Sequence, residues 1–134
     1  MDARELAVSA EYLVAIEAGD DWREAIEQFA DDEGVTAAWL TGMGTVRDAD
    51  LWHYDPAADE HRSVRFDEPL SVASCVGTVT GGDEPFARTH AVLSRPSGQA
   101  LGGYLNAATA VEGAVYLRAM AEPFDLTATA PTDP

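Results

Sequence analysis

One segment near the N-terminus carries a helical pattern, and most of the remaining chain carries strand patterns. Asp21, with Glu24 three residues later, matches a capping box at the start of a helix. Apolar residues then recur at helical spacing, at Trp22, Ala25, Ile26, Phe29 and Ala30. Gly34 predicts the end of this helix, because glycine readily adopts the left-handed cap conformation.

The predicted strands are apolar or alternating runs separated by turn residues. One precedes the helix, at residues 10–17, and the others follow it, at 35–41, 46–54, 61–66, 70–80, 86–93, 99–105 and 109–118. Gly42-Met43-Gly44 is predicted to form a tight turn between two of them. The expected fold is α+β: a mainly antiparallel β-sheet of about seven to eight strands with one main N-terminal helix packed on it. We expect a single domain over residues 1–126 and a frayed C-terminal tail over 127–134.

The charge balance disfavours partners that are bound through their phosphates. The chain has 134 residues, with 24 acidic residues against 8 basic ones and a formal net charge of −16. All the basic residues are arginines. No basic patch can dominate such a surface, so nucleic-acid binding by phosphate neutralisation is disfavoured. The acidic excess without lysine predicts a halophilic protein of the kind that salt-accumulating archaea make, because molar salt screens such repulsion.

The sequence also predicts a cytoplasmic location. No apolar run approaches the roughly 20 residues that cross a bilayer. The first residues, Met1 to Glu5, lack the positive and apolar regions of a signal peptide. Cys75 is the single cysteine, so it cannot form an internal disulfide, and its apolar neighbours predict a buried structural thiol.

Six segments, in order along the chain, resemble the plants-and-prokaryotes conserved (PPC) domain family. They are Gly19-Asp20-Asp21 at the helix start, AAWLTGMG at 37–44, LWHYD at 51–55, FDEPLSV at 66–72, HAVLS at 90–94 and GGYL at 102–105. No single segment is specific, but the ordered set covers residues 10–120. The resemblance implies a compact α+β fold and a homotrimer. It also implies an association with DNA, because the plant domains accompany AT-hook motifs.

The resemblance further implies a metal site in many members, formed by HxH on one strand and GGH on another. In this sequence the corresponding residues are Arg88-Thr89-His90 and Tyr104. A guanidinium cannot ligate a metal, and a phenol with a reference pKa near 10 is a poor ligand at neutral pH. We therefore expect that the three-histidine site is lost, and we predict no metal and no cofactor.

The candidate site residues are Arg88, His90, Tyr104, Gly102 and Gly103. One hypothesis is a small anion pocket, with Arg88 pairing with the anion while His90 and Tyr104 donate hydrogen bonds. The alternative is a structural polar network at a trimer interface or a pocket floor. The two glycines lie within a strand pattern, which indicates a bulge or close backbone approach, or else room for a ligand beside Tyr104.

Three functions remain open from the sequence. The favoured one is a non-catalytic homotrimeric binding or scaffold module with a small polar cleft, whose partner is a small anion or a protein. The main alternative is a DNA-binding or nucleoid-associated regulatory protein, although no AT-hook core is present: Arg62 and Arg65 are the closest basic pair, and Arg95-Pro96 is half a core. A metal-dependent enzyme is disfavoured by the replaced histidines.

Overall fold

The computed structural model describes Met1 and residues 3–124 of the chain. Along the chain the elements are β1 (Val8–Ile16), α1 (Trp22–Glu33), β2 (Ala38–Asp55), β3 (Glu60–Phe66), β4 (Leu70–Thr80), β5 (Phe86–Ser94) and β6 (Ala100–Met120). The predicted frayed tail at 127–134 lies outside the described residues, and the single-domain boundary at 126 stays a prediction. No helix in the described part is long and apolar enough to span a membrane.

The predicted helix is confirmed at both ends. The Asp21 carboxylate accepts a hydrogen bond from the backbone N–H of Glu24 at 3.0 Å, which caps the first turn. Gly34 ends the helix with a φ of 69°, and its N–H bonds back to the last turn. Trp22, Ile26 and Ala30 form the buried face, because residues three to four apart lie on one side of a helix.

The six strands form one antiparallel sheet in the order β1-β6-β5-β4-β2-β3. An additional pairing joins β6 to β2, so the path β2-β4-β5-β6 closes on itself as a small barrel. β1 extends this barrel from the second half of β6, and β3 extends it from the second half of β2. Inward-facing aliphatic side chains fill the barrel, among them Leu40, Leu51, Leu93, Leu105 and Leu117.

The predicted fold class is confirmed, but the expected count of seven to eight strands is wrong. The sequence divides two long strands that the structure keeps whole: residues 35–41 and 46–54 belong mostly to β2, and 99–105 and 109–118 belong to β6. Gly42-Met43-Gly44 is therefore not a tight turn. The β2 register shifts there, as at a bulge. A Cβ on Gly44 would lie 2.3 Å from the Glu112 carbonyl oxygen, so this glycine permits close strand approach.

The contact between helix and barrel is centred on Trp22. Its side chain is fully buried and covers Gly113 of β6, where an added Cβ would lie 2.6 Å from the indole ring. Cys75 is also buried, as predicted, and burial raises the pKa of its thiol to about 11, against the opposing effect of the nearby Trp22 indole. A thiol with this pKa is almost wholly protonated at neutral pH, so it is chemically inert.

Candidate ligand-binding pocket

An open pocket of about 480 Å³ lies where five of the strands meet. Residues of β2, β3, β4, β5 and β6 line it. Six of its side chains carry rings, and we call it the ring pocket after them: Trp52, His53, Tyr54, His61, His90 and Tyr104. The three histidines in this set are all the histidines of the chain.

Strand register brings these rings together. His90 of β5 lies opposite Tyr104 of β6, and Tyr104 lies opposite Trp52 of β2. At the open end of the pocket, Tyr54 of β2 pairs with His61 of β3 across the hairpin. Since directly opposed residues in antiparallel strands project to the same face, each pairing places two rings side by side.

The ring contacts are edge-to-face or tilted rather than stacked. The His90 and Tyr104 centroids are 5.7 Å apart at an interplanar angle of 73°. Trp52 and Tyr104 lie 6.1 Å apart at 44°, and Tyr54 and His61 lie 5.2 Å apart at 53°. Such arrangements match the positive edge of one ring to the negative face of another, and they hold each ring in a defined orientation.

The structure brings four of the five predicted site residues to this pocket. His90, Tyr104, Gly102 and Gly103 line it. Arg88 is outside the lining: it precedes His90 by two residues on the outward-facing side of β5, with its guanidinium 5.4 Å from the Phe86 ring centroid. Arg88 still acts on the pocket electrostatically, since its positive charge is one cause of the lowered pKa of His90.

The two glycines differ in what surrounds them. A Cβ on Gly103 would lie 3.0 Å from both the His53 Nε2 and the Trp52 carbonyl oxygen, so the space beside this glycine is occupied by the His53 ring. A Cβ on Gly102 would meet only the Ala91 carbonyl oxygen, at 3.7 Å. The Gly102 carbonyl in turn lies 2.6 Å from His53 Nε2, and because a carbonyl only accepts, this nitrogen carries the proton.

The lining of the ring pocket contains no aspartate or glutamate. Two aspartates outside the lining accept hydrogen bonds from its rings: the Trp52 indole donates to Asp50 at 3.2 Å, and the Tyr54 hydroxyl donates to Asp59 at 2.6 Å. Partial burial, and then the neighbouring charge of Arg88, lower the pKa of His90 from its usual value. The His90 imidazole is therefore neutral at pH 7 and carries one N–H donor.

Sequence reasoning missed His53, His61 and Trp52 as pocket residues. A signal for His61 was present: a polar loop between two strand patterns predicts a hairpin, and hairpin pairing places His61 opposite Tyr54. Trp52 is partly buried at the pocket wall. Trp39 is 42% exposed, so it lies outside the core.

Arg23 was also missed, and it supports the pocket floor from the helix. Its guanidinium donates to the Ala87 carbonyl at 2.9 Å, to the Asn106 side chain at 3.1 Å and to Glu27 at 3.2 Å. Its Cζ also lies 5.8 Å from the Tyr104 ring centroid. No periodic signal separates such an arginine from an ordinary surface residue of a helix.

Comparison with known proteins gives a family and a set of similar folds. The family model of the Plants and Prokaryotes Conserved (PCC) domain, also abbreviated PPC, matches residues 3–121. A PPC protein from Pyrococcus horikoshii superposes with a TM-score of 0.84 at 21% identity, covering 91% of this chain and 86% of that one. No curated protein matches the sequence significantly.

Two further solved structures are similar. A metal-containing protein from Archaeoglobus fulgidus has a TM-score of 0.84 at 28% identity, covering 92% of this chain and 88% of that one. A candidate DNA-binding protein from Bacteroides thetaiotaomicron has a TM-score of 0.76 at 17% identity, covering 87% of this chain and 82% of that one.

Proposed function

The chain belongs to the PCC domain family, and from that premise we propose that it is a non-catalytic binding module whose ring pocket holds a small anion. The observation that carries this proposal is the contrast between the acidic composition of the chain and the absence of carboxylates from the pocket lining. A protein with a net charge of −16 keeps carboxylates out of a pocket lined by all three of its histidines. Carboxylates in the lining would repel an anionic ligand, so their absence from this pocket favours an anion there.

The residues supply donors suited to a carboxylate or a phosphate. His90 is exposed at the pocket surface, and Ser74 lines the same wall from β4. Arg88, beside His90 on the same strand face, adds a positive charge close to the site. A charge-assisted hydrogen bond to an anion is shorter and stronger than a neutral one, so few donors are sufficient.

The proposal includes a homotrimer, supported by exposed apolar side chains on the outer surface of the sheet. Leu13 is 80% exposed and lies opposite Tyr116, and Met43 is 66% exposed and lies four residues from Trp39 on β2. Such a patch favours an interface between copies. Light scattering in molar salt should give three times the chain mass of 14.3 kDa. A monomer at micromolar concentration would contradict the trimer while leaving the pocket proposal intact.

Anion binding is tested by proton NMR, because every histidine in the chain reports on the pocket. Titration with acetate should move all three imidazole signals along one saturable curve and raise the pKa of His90. His90→Gln should weaken binding several-fold, whereas Gln99→Ala, in the loop before β6, should leave it unchanged. Linear drift of the signals without saturation would refute the proposal.

DNA binding is the second candidate, favoured by the name given to the Bacteroides thetaiotaomicron protein. The arginine partners of this chain oppose it. Within the part of the chain that the structure describes, carboxylates lie within 4.0 Å of Arg4, Arg23, Arg62, Arg65, Arg95 and Arg118. Binding to DNA gains free energy when basic side chains neutralise phosphates and displace the counterions of the DNA, and an arginine already paired with a carboxylate contributes less to that neutralisation. A mobility-shift titration at two salt concentrations should show no retardation, and a complex that weakens steeply with salt would establish the DNA function instead.

A metal-dependent reaction fits these residues poorly. The positions that resemble the metal-binding histidines of the family hold Arg88 and Tyr104, neither of which is a ligand at neutral pH. Among residues 3–124, no group of three or more histidine, cysteine or acidic side chains is arranged to hold a metal ion.

A further inference from the structure

The ring pocket combines polar donors with apolar surface that the fold itself does not bury. Tyr54 is 52% exposed, Val92 43% and Val76 36%, and all three line the pocket. An inorganic anion would leave this surface in water. Apolar area left open beside hydrogen-bond donors indicates a ligand that has both an apolar body and a charged group.

We propose that the ring pocket binds a planar aromatic carboxylate, whose ring packs against Trp52 and Tyr54 while its carboxylate accepts a hydrogen bond from His90. This proposal rests on the anion-binding function above and names the class of anion. The volume of about 480 Å³ lies within the range of small-molecule pockets, which is roughly 300 to 1,000 Å³.

The existing ring contacts favour an aromatic ligand over an aliphatic one. Trp52 and Tyr54 are held by hydrogen bonds from their polar ends to Asp50 and Asp59, so their ring orientations are fixed before a ligand arrives. Each ring is also tilted against a neighbour rather than stacked on it. Fixed rings that are not stacked on one another can take up an edge-to-face or offset partner at little cost in entropy.

The charges near the pocket favour a carboxylate over an aromatic cation. An aromatic cage for a cation needs open ring faces, and carboxylates nearby would strengthen it. Here the pocket lining contains no carboxylate, and His90 and Ser74 present hydrogen-bond donors along its wall. Such a lining offers a cation no counter-charge, whereas it can donate hydrogen bonds to a carboxylate.

Four probe molecules test the contributions of the aromatic ring and the carboxylate to binding. Each is added to the unaltered protein in its native assembly. Benzoate carries a ring and a charge, cyclohexanecarboxylate a charge and an aliphatic ring, acetate the charge alone, and benzamide the ring without the charge. The three histidine signals in NMR report binding of each. We expect benzoate to bind about tenfold more tightly than each of the other three, which corresponds to about 1.4 kcal/mol.

Each alternative binding result would refute one part of the proposal. Equal binding of benzoate and cyclohexanecarboxylate would refute the preference for an aromatic ring, and equal binding of acetate would reduce the pocket to a simple anion site. Equal binding of benzamide would refute carboxylate recognition. If none of the four binds, the anion-binding function fails along with this inference, so the two failures are distinguishable.

A pair of tryptophan variants locates the binding site. Trp52→Leu should weaken benzoate binding several-fold and change acetate binding little. Trp39→Phe, which keeps an aromatic side chain at an exposed position outside the pocket, should change neither. Equal loss of benzoate binding in both variants would place the ligand elsewhere and overturn the inference.

Discussion

The ring pocket and the groove beside α1 differ in charge although one small barrel carries both: the first is lined by no carboxylate and the second by five. The groove, which we call the acidic groove, is lined by Glu24, Glu27, Asp31, Asp83 and Glu84 together with Gln28 and Pro85. It has about the same volume as the ring pocket, 420 against 480 Å³, but its lining contains no aromatic or histidine side chain. The acidic excess of this chain is thus distributed unevenly, and the site free of carboxylates is the one that holds every histidine.

Arg23 connects the two regions. Its guanidinium bonds Glu27 of the acidic groove and lies under Tyr104 of the ring pocket. Glu27 in turn accepts the backbone N–H of Ala87 at 2.9 Å. The difference between the two regions therefore concerns more than surface composition, because a partly buried ion pair fixes the helix against the strands that carry the pocket.

The largest expected loss of stability is at the contact between the helix and the barrel, where the packing leaves no space for an added methyl group. Gly113→Ala places a methyl group 2.6 Å from the fully buried Trp22 ring, and it should cost about 3 kcal/mol in the free energy of unfolding. Gly102→Ala at the ring pocket has 3.7 Å to its nearest neighbour, and it should change stability by less than about 0.5 kcal/mol. Urea denaturation measures both, and equal costs would break the comparison between a tight helix side and an open pocket side.

The second effect concerns the connection between the two regions. Arg23→Met removes one hydrogen-bond donor from the Ala87 carbonyl, from Asn106 and from Glu27, so it should cost about 2 kcal/mol. It should also move the His90 NMR signals, since Tyr104 loses the support of the guanidinium. Arg62→Met is the control: its ion pairs with Asp55 and Glu60 are exposed, and their loss should cost under about 1 kcal/mol. An unchanged His90 signal in Arg23→Met would show that the helix does not position the pocket.

The helix and the fold class could be predicted because their signals are local. The cap at Asp21, the apolar spacing from Trp22 to Ala30 and the stop at Gly34 each act within one turn or a few residues. The number of strands could not be predicted in the same way. Gly42 and Gly44 look like turn residues locally, but their role is set by the close approach of β6, which is some 70 residues away along the chain.

The ring pocket was predictable in part for a similar reason. His90, Tyr104 and the two glycines were found because each lies in a segment resembling the family. His61 depends on the register of a hairpin that places it opposite Tyr54, and a shift by one residue would have turned it to the other face. His53 depends on the distant strand β6, where it contacts Gly102 and Gly103. Arg23 depends on how the helix docks, which no spacing in the sequence encodes.

A third, smaller effect tests the close contact between Gly103 and His53. Gly103→Ala should displace the His53 ring and weaken its hydrogen bond to the Gly102 carbonyl, at a cost of about 1 kcal/mol. The double variant Gly103→Ala with His53→Ala should lose less stability than the two single variants lose in total, because removing the His53 ring also removes its clash with the new methyl group. Strict additivity in chemical denaturation would mean that the ring does not occupy this space.

The smallest effect is a pH dependence that only the ring pocket should show. The folded pKa of His90 lies below its unfolded value near 6.5, so the unfolded chain binds more protons at mildly acidic pH. His90 therefore costs no stability well above pH 6.5, and its penalty develops as the pH falls through that value toward the folded pKa. Because the ring is partly exposed to solvent, the penalty should be on the order of a few tenths of a kcal/mol.

The measurement for His90 is the difference in Tm between pH 7.5 and pH 5.5. Protonation of the many carboxylates affects every variant alike, so the comparison of variants isolates His90. His90→Gln should lose less stability on acidification than the unaltered protein, and Val92→Thr on the same strand face should behave like the unaltered protein. A saturating aromatic carboxylate should reverse the sign of the His90 contribution, because an anion in the pocket stabilises the protonated imidazole. If the unaltered protein and His90→Gln respond identically with and without that ligand, His90 does not face the anion, and the contrast with the acidic groove has no functional meaning.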